Sequence, residues 1–226
     1  MIRSAATQAA ADHSLAGARS FALEVASAKV SGTLFITGDA DADAFVNSDG
    51  TALLVGMLLD QQVPMEVAFR GPTTLRGRLG HLDPLAIAAM DLDDFVAVCC
   101  AKPAIHRYCG AMGKRVHALC VVLAEQYGGR GERVWDGVQS ADMLYRRLRE
   151  LPGYGDEKSR IFIAILGKRM GVRPRGWKDA AGKFGESTPR SVADSTSPAT
   201  LAKVREWKRA QKAAKLDKQD RPLKTR

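Results

Sequence analysis

From Asp49 onward, apolar residues recur at three- and four-residue steps through Leu53, Leu54, Met57 and Leu58, until Pro64 interrupts them. That spacing predicts a core-facing helix. The same periodicity predicts helices over 65–80, with a break at Gly71-Pro72, and then over 84–90, 91–100, 113–127, 141–151, 156–171 and 197 to about 215. Asp83 before Pro84 and Ser197 before Pro198 mark helix starts, because a short polar side chain can accept from the first free amides and proline has no amide to leave unsatisfied. The only strand-like piece is Thr33-Leu34-Phe35-Ile36-Thr37, followed by a turn-like Gly38-Asp39-Ala40-Asp41. An all-α fold of many short helices is the expectation.

The chain has 226 residues, 46% of them hydrophobic, which suits one substantial core. Residues 1–30 are rich in Ala and Ser and lack punctuated periodicity, so they read as a flexible extension. Their faint likeness to a transit segment is countered by Glu24 and by the absence of clustered arginines. The folded domain is expected over 31–200, and a basic helix or tail over 201–226. That last segment holds ten Lys or Arg against Glu206, Asp217 and Asp220, and so supplies +7 of the formal charge of +9. Such a balance suits a polyanion, although a Lys-rich terminal helix is commonly a solvated face.

No stretch approaches the roughly 18–20 uninterrupted apolar residues that cross a bilayer, and the start lacks the apolar region of a secretory signal, so a cytoplasmic location is expected. The four cysteines show no disulfide-framework spacing and are expected to be reduced and mostly buried. His106-x-x-Cys109 and His117-x-x-Cys120 have a spacing that could ligate zinc. On a helix, however, Cys120 shares an apolar face with Val116, Leu123 and Tyr127, so it is better explained as core, and no metal is expected.

The residues richest in chemistry are Leu151-Pro152-Gly153-Tyr154-Gly155, between one amphipathic helix (Met143, Leu144, Leu148) and another (Ile161, Phe162, Ile165, Leu166). Two glycines one residue apart permit positive φ and remove Cβ atoms where a phosphate would approach the main chain. The helix beginning at about Asp156 then offers unsatisfied amides and its dipole to an anion. The same pentapeptide would also serve as an ordinary turn.

The Leu-Pro-Gly-x-Gly pattern resembles the hairpin of the helix-hairpin-helix base excision repair superfamily, which includes endonuclease III, adenine glycosylase and alkyladenine glycosylases. Leu53 to Gln62 resembles that family's early helix with its Gln-containing turn. Ile105-His106-Arg107-Tyr108, through Lys114, Val116 and Ala118 to Tyr127-Gly128-Gly129, resembles the helix that leads towards the hairpin. Together these patches span about residues 50–171.

The resemblance implies a two-lobed all-α glycosylase fold, with lobes formed largely by 50–110 and 111–200, acting on double-stranded DNA as a monomer. It implies that Gln62 or its neighbour Gln61 fills the gap left by an extruded base, and that Gly153, Tyr154 and Gly155 contact the DNA backbone. Bifunctional members carry a nucleophilic lysine two residues after the second hairpin glycine. Here that position is Glu157, with Lys158 next, turned by about 100° on a helix. A monofunctional DNA N-glycosylase without lyase activity is therefore expected, with Lys158 a phosphate contact or a solvated charge.

The family's catalytic carboxylate has two candidates, Asp179 by spacing and Asp194 by its setting at the start of a helix. Each could equally be a capping or solvated residue, and Glu157, or no acid at all, is the remaining possibility. No cysteine follows Cys120, so the resemblance implies no iron-sulfur cluster, and N-glycosidic hydrolysis needs no cofactor. Arg173, Arg175, Lys178 and Lys183, with Lys203, Arg205, Lys208, Arg209, Lys212 and Lys215, would suit phosphates. Trp177 and Tyr154 are candidates for stacking near DNA or for core packing.

Overall fold

Short acidic side chains start the first helices of the described residues. In the computed structural model, which describes residues 32–223, Asp39 accepts from the Ala42 amide to open α1 (Ala40–Ser48), and Asp49 accepts from Ala52 to open α2 (Gly50–Leu59). The turn-like reading of Gly38 to Asp41 is thereby corrected, because Asp39 is a cap and the following residues are helical. Residues 1–30, read as an extension, lie outside the described residues.

Every residue of α2 is buried. A helix apolar on all sides has no face for water and must sit at the centre. Around it pack α1, α3 (Met65–Leu79), α6 (Cys109–Tyr127), α8 (Asp156–Arg169) and a 3₁₀ turn at Gly131–Val134. The break expected at Gly71-Pro72 does not occur, and α3 runs through both residues. A Cβ on Gly71 would lie 2.3 Å from Leu59 Cδ1, so the glycine lets α3 approach α2 closely. Pro72 is buried within the same helix.

Beyond α3 come α4 (Pro84–Ala88), capped by Asp83, and α5 (Leu92–Cys100), capped by Asp91. Both lie on α6, which starts at Cys109 rather than at 113. The later elements are α7 (Ala141–Glu150), α8, the short α9 (Trp177–Ala181) and α10 (Pro198–Ala213). The buried core runs unbroken from Leu34 to Val204. The expected limit at 200/201 falls inside α10, whose Leu201 and Val204 are core.

Among the described residues there is no strand, only two isolated bridges, so the fold is all-α. The strand-like 33–37 is extended but served by side chains and a turn. Leu34 N–H donates to Asn47 Oδ1, Ile36 and Thr37 donate to Asp43 Oδ1, and Phe35 donates to the Ser195 carbonyl. That segment ties α1 to the turn before α10. No helix of the described residues is long and apolar enough to cross a membrane.

The reduced-thiol expectation is also corrected. Cys100 and Cys109 form a disulfide that joins the end of α5 to the start of α6. This bond removes Cys109 from the His106 pair as a metal ligand. Cys99 and Cys120 are free and buried, and burial pushes both thiols up to about 12.

Candidate nucleic-acid interface

The α7 helix, capped by Ser140, delivers the chain to the hairpin at Leu151, which is itself buried. Tyr154 N–H closes the turn onto the Leu151 carbonyl, and Gly153 takes φ +79°. A Cβ there would meet Leu58 Cδ1 at 2.7 Å, so the hairpin rests directly on the end of α2. Gly155 caps α8 in an extended conformation with no side-chain hydrogen bond to the first turn, and it is exposed. A tight glycine turn thus leads into a helix start whose amides no side chain caps.

Tyr154 does not face outward. It is 3% exposed, its Oη donates to the Leu54 carbonyl at 2.8 Å, and its ring meets Phe162 edge-on. Burial drives its phenol well above its usual value. The side chain is an anchor of the hairpin to α2, which corrects its reading as a stacking candidate. Trp177 is half-buried and lies against α8, where a Cβ on Gly167 would fall 2.3 Å from its ring.

A cleft of about 580 Å³ opens beside the hairpin. Gln61, Arg115, Arg149, Gly153, Tyr154, Gly155, Glu157 and Lys158 line it, so residues from three distant parts of the sequence converge there. The Gln61 carbonyl bonds to Nε2 of buried His106 at 2.9 Å, and its Oε1 accepts from Arg115 Nη1 at 3.1 Å. Gln62 is exposed in the left-handed region at φ 57°, a conformation costing a non-glycine residue on the order of 1 kcal/mol. The turn is therefore fixed from both sides, with Gln61 at the cleft and Gln62 outside its lining.

Lys158 is neither solvated nor free. Its Nζ donates to the Leu58 carbonyl, and burial pushes the amine down to about 8, with Arg115 and Lys218 adding to the effect and Asp60 opposing it. Because the folded value lies below the ordinary 10.5, the unfolded chain binds the extra proton between those limits, and stability from this group rises with pH across that window. Relative to Lys158→Met, the wild type is expected to gain up to about 3 kcal/mol between pH 8 and 10.5. Chemical denaturation of both proteins across that range checks it, and a constant difference would refute the burial argument.

The candidate acids lie elsewhere. Asp194 is 8% exposed, with Oδ1 2.6 Å from Lys168 Nζ and Oδ2 accepting from the Arg190 and Ser191 amides at 3.0 and 3.1 Å. It closes a capping box with Ser191. Lys168 lies ten residues along α8 from Lys158, roughly 15 Å at helical rise. Asp179 is exposed on α9. Neither lines the hairpin cleft. The carboxylate that does is Glu157, whose Oε1 is 2.9 Å from Lys218 Nζ.

The basic end of the chain folds back on itself and on the body. Arg205 pairs with Glu66, Arg190 Nη1 meets Asp220 at 2.8 Å, and Arg221 pairs with Asp217 at 2.7 Å. Lys208 is half-buried and lowered by desolvation, while Lys203, Arg209, Lys212 and Lys215 are exposed. Spacing could not have found the Glu157–Lys218 pair, since 61 residues separate its members. No protein-family model and no curated protein matches this chain.

Proposed function

We propose that this protein binds duplex DNA through the 151–155 hairpin and acts in base excision repair as a monofunctional N-glycosylase of the two-lobed helix-hairpin-helix type. In this reading it works as a cytoplasmic, nucleoid-associated monomer that bends the duplex and extrudes a damaged base. The observation that carries the reading is the convergence on one cleft of the glycine hairpin, Arg115, Arg149, Lys158 and Gln61. A backbone phosphate held by the α8 amides gains charge assistance from those cations without any base being read. Gln61, braced by His106 and Arg115, is placed at the cleft where an amide could meet the orphaned partner base.

Gly155 tests the reading cleanly. Its φ is negative, and a Cβ there would come no closer than 3.8 Å to Arg149 Nη1, so alanine fits the fold while intruding on the anion site. Gly155→Ala is expected to keep the melting temperature and weaken duplex binding about tenfold or more. Fluorescence anisotropy over a salt series measures it. Unchanged affinity would remove the hairpin from the interface.

A second reading, a DNA-binding module without catalysis, is favoured by Asp194, whose two oxygens are both engaged by Lys168 and backbone amides. Tight binding with no excision from any lesion-bearing duplex would select it.

A further inference from the structure

Hydrolysis of an N-glycosidic bond leaves positive charge on the deoxyribose and needs a water activated beside it, so a carboxylate must face the site where the sugar sits. Asp194 is committed to Lys168 and two amides at the far end of α8, and Asp179 stands on the surface of α9. Glu157 lines the hairpin cleft in the first turn of α8, one residue from Lys158 and two from Gly155. The C-terminal segment beyond α10 returns over this end of α8 and lays Lys218 Nζ 2.9 Å from Glu157 Oε1. Asp220 in the same segment is fixed to Arg190, whose side chain is only 8% exposed, and accepts from Gln211 Nε2 at 3.1 Å. Lys218 is thus presented by a segment anchored on both the body and α10. Burial alone would lower this ammonium, but Glu157 and Asp60 outweigh it and hold Lys218 above its usual value.

Resting on the glycosylase reading, we infer that Glu157 is the carboxylate of the reaction and that Lys218 is its positioning residue. One carboxylate oxygen is tethered by the ammonium. The other oxygen can take a proton from water while that water's oxygen bonds to C1′. The C1′–N bond breaks, its electron pair leaves with the base, and the proton passes from Glu157 to the departed base. The products are a free base and a hydroxyl at C1′, with no co-reactant besides water. The chain thereby supplies from its C-terminal segment a group that α8 alone cannot place.

Single-turnover excision is measured with the full chain on duplexes carrying uracil, hypoxanthine, an oxidised guanine or an N-alkylated adenine, at saturating protein, with affinity read separately on an uncleavable abasic duplex. Glu157→Gln is expected to slow excision by about 100-fold or more while affinity stays within about threefold. Glu157→Asp, which keeps the charge but withdraws it, should fall between. Lys218→Ala is expected to be about tenfold slower at unchanged affinity and melting temperature, with Lys218→Arg restoring the rate, a rescue that a merely structural contact would not show. If the wild type excises and Glu157→Gln stays within about threefold of it, Glu157 is not the carboxylate and the inference alone falls. If Lys218→Ala matches the wild type, the positioning role falls. If the wild type excises none of these bases, the glycosylase reading fails and takes the inference with it.

Discussion

Asp194→Ala will lower the free energy of unfolding by about 3 kcal/mol, because it strands a partly buried ammonium and two buried amides at once. Lys168 retains only 12% side-chain exposure, and its Nζ divides its donors between Asp194 and the Glu186 carbonyl. Removing the carboxylate leaves that charge under the turn with one neutral partner. The Arg190 and Ser191 amides lose their shared acceptor in the same step. The damage spreads, because this turn presents the Ser195 carbonyl to Phe35 and so holds the 32–37 segment in place. Asp194→Asn should cost less, since its amide oxygen can still accept, although Lys168 then lacks a counter-charge. Urea unfolding of Asp194→Ala, Lys168→Ala and the double variant measures the coupling. Single losses that add without coupling would show that the pair contributes no joint stability. Activity assays on Asp194 variants must therefore be read against their melting curves.

Tyr154→Ala carries an expected loss of similar size, about 3–5 kcal/mol, by the cavity it opens. The ring is packed between α2 and Phe162, and its hydroxyl is bonded to the Leu54 carbonyl of a helix that has no exposed residue. Tyr154→Phe removes only that hydrogen bond and should cost about 1 kcal/mol, leaving duplex affinity unchanged. The pair of variants separates anchoring from stacking. A residue that stacked on DNA would lose affinity as alanine at an unaltered melting temperature, and that result would contradict the buried geometry. Under the proposed function, any contact of the hairpin with DNA falls to its backbone, and Tyr154 fixes where that backbone lies.

The legibility of the chain divides along the range of the interactions involved. Asp83-Pro84 and Ser197-Pro198 announced their helices because a cap is satisfied by amides two or three residues away. The spacing of Leu53, Leu54, Met57 and Leu58 announced a core-facing helix through its three- and four-residue steps, and the 151–155 pentapeptide announced a turn because its glycines impose backbone geometry directly. Asp39 was misread because a helix start and a turn use the same acidic residue beside the same glycine. Gly71-Pro72 reads as a break because the close approach of Gly71 to Leu59 of α2 lies outside any window along α3.

The candidate site was less legible than the fold. Gln61, Gly153, Gly155 and Lys158 line one cleft, but no local spacing reveals their environments. A lysine beside a hairpin reads as solvated until the Leu58 carbonyl and the neighbouring helices close around it. Asp194 reads as a free acid at the start of a helix until Lys168 arrives from α8.

By itself, then, the sequence determined the helical class, the caps before Pro84 and Pro198 and the tight turn at 151–155, since each follows from hydrogen bonds and steric limits within a few residues of chain. Only the tertiary structure decided that Tyr154 turns inward, that Cys100 meets Cys109, that Asp194 is consumed by an ion pair, and that Lys218 reaches Glu157. Those outcomes depend on which surfaces pack together, and burial, which sets the cost and the partner of every polar group, exists only after they have packed.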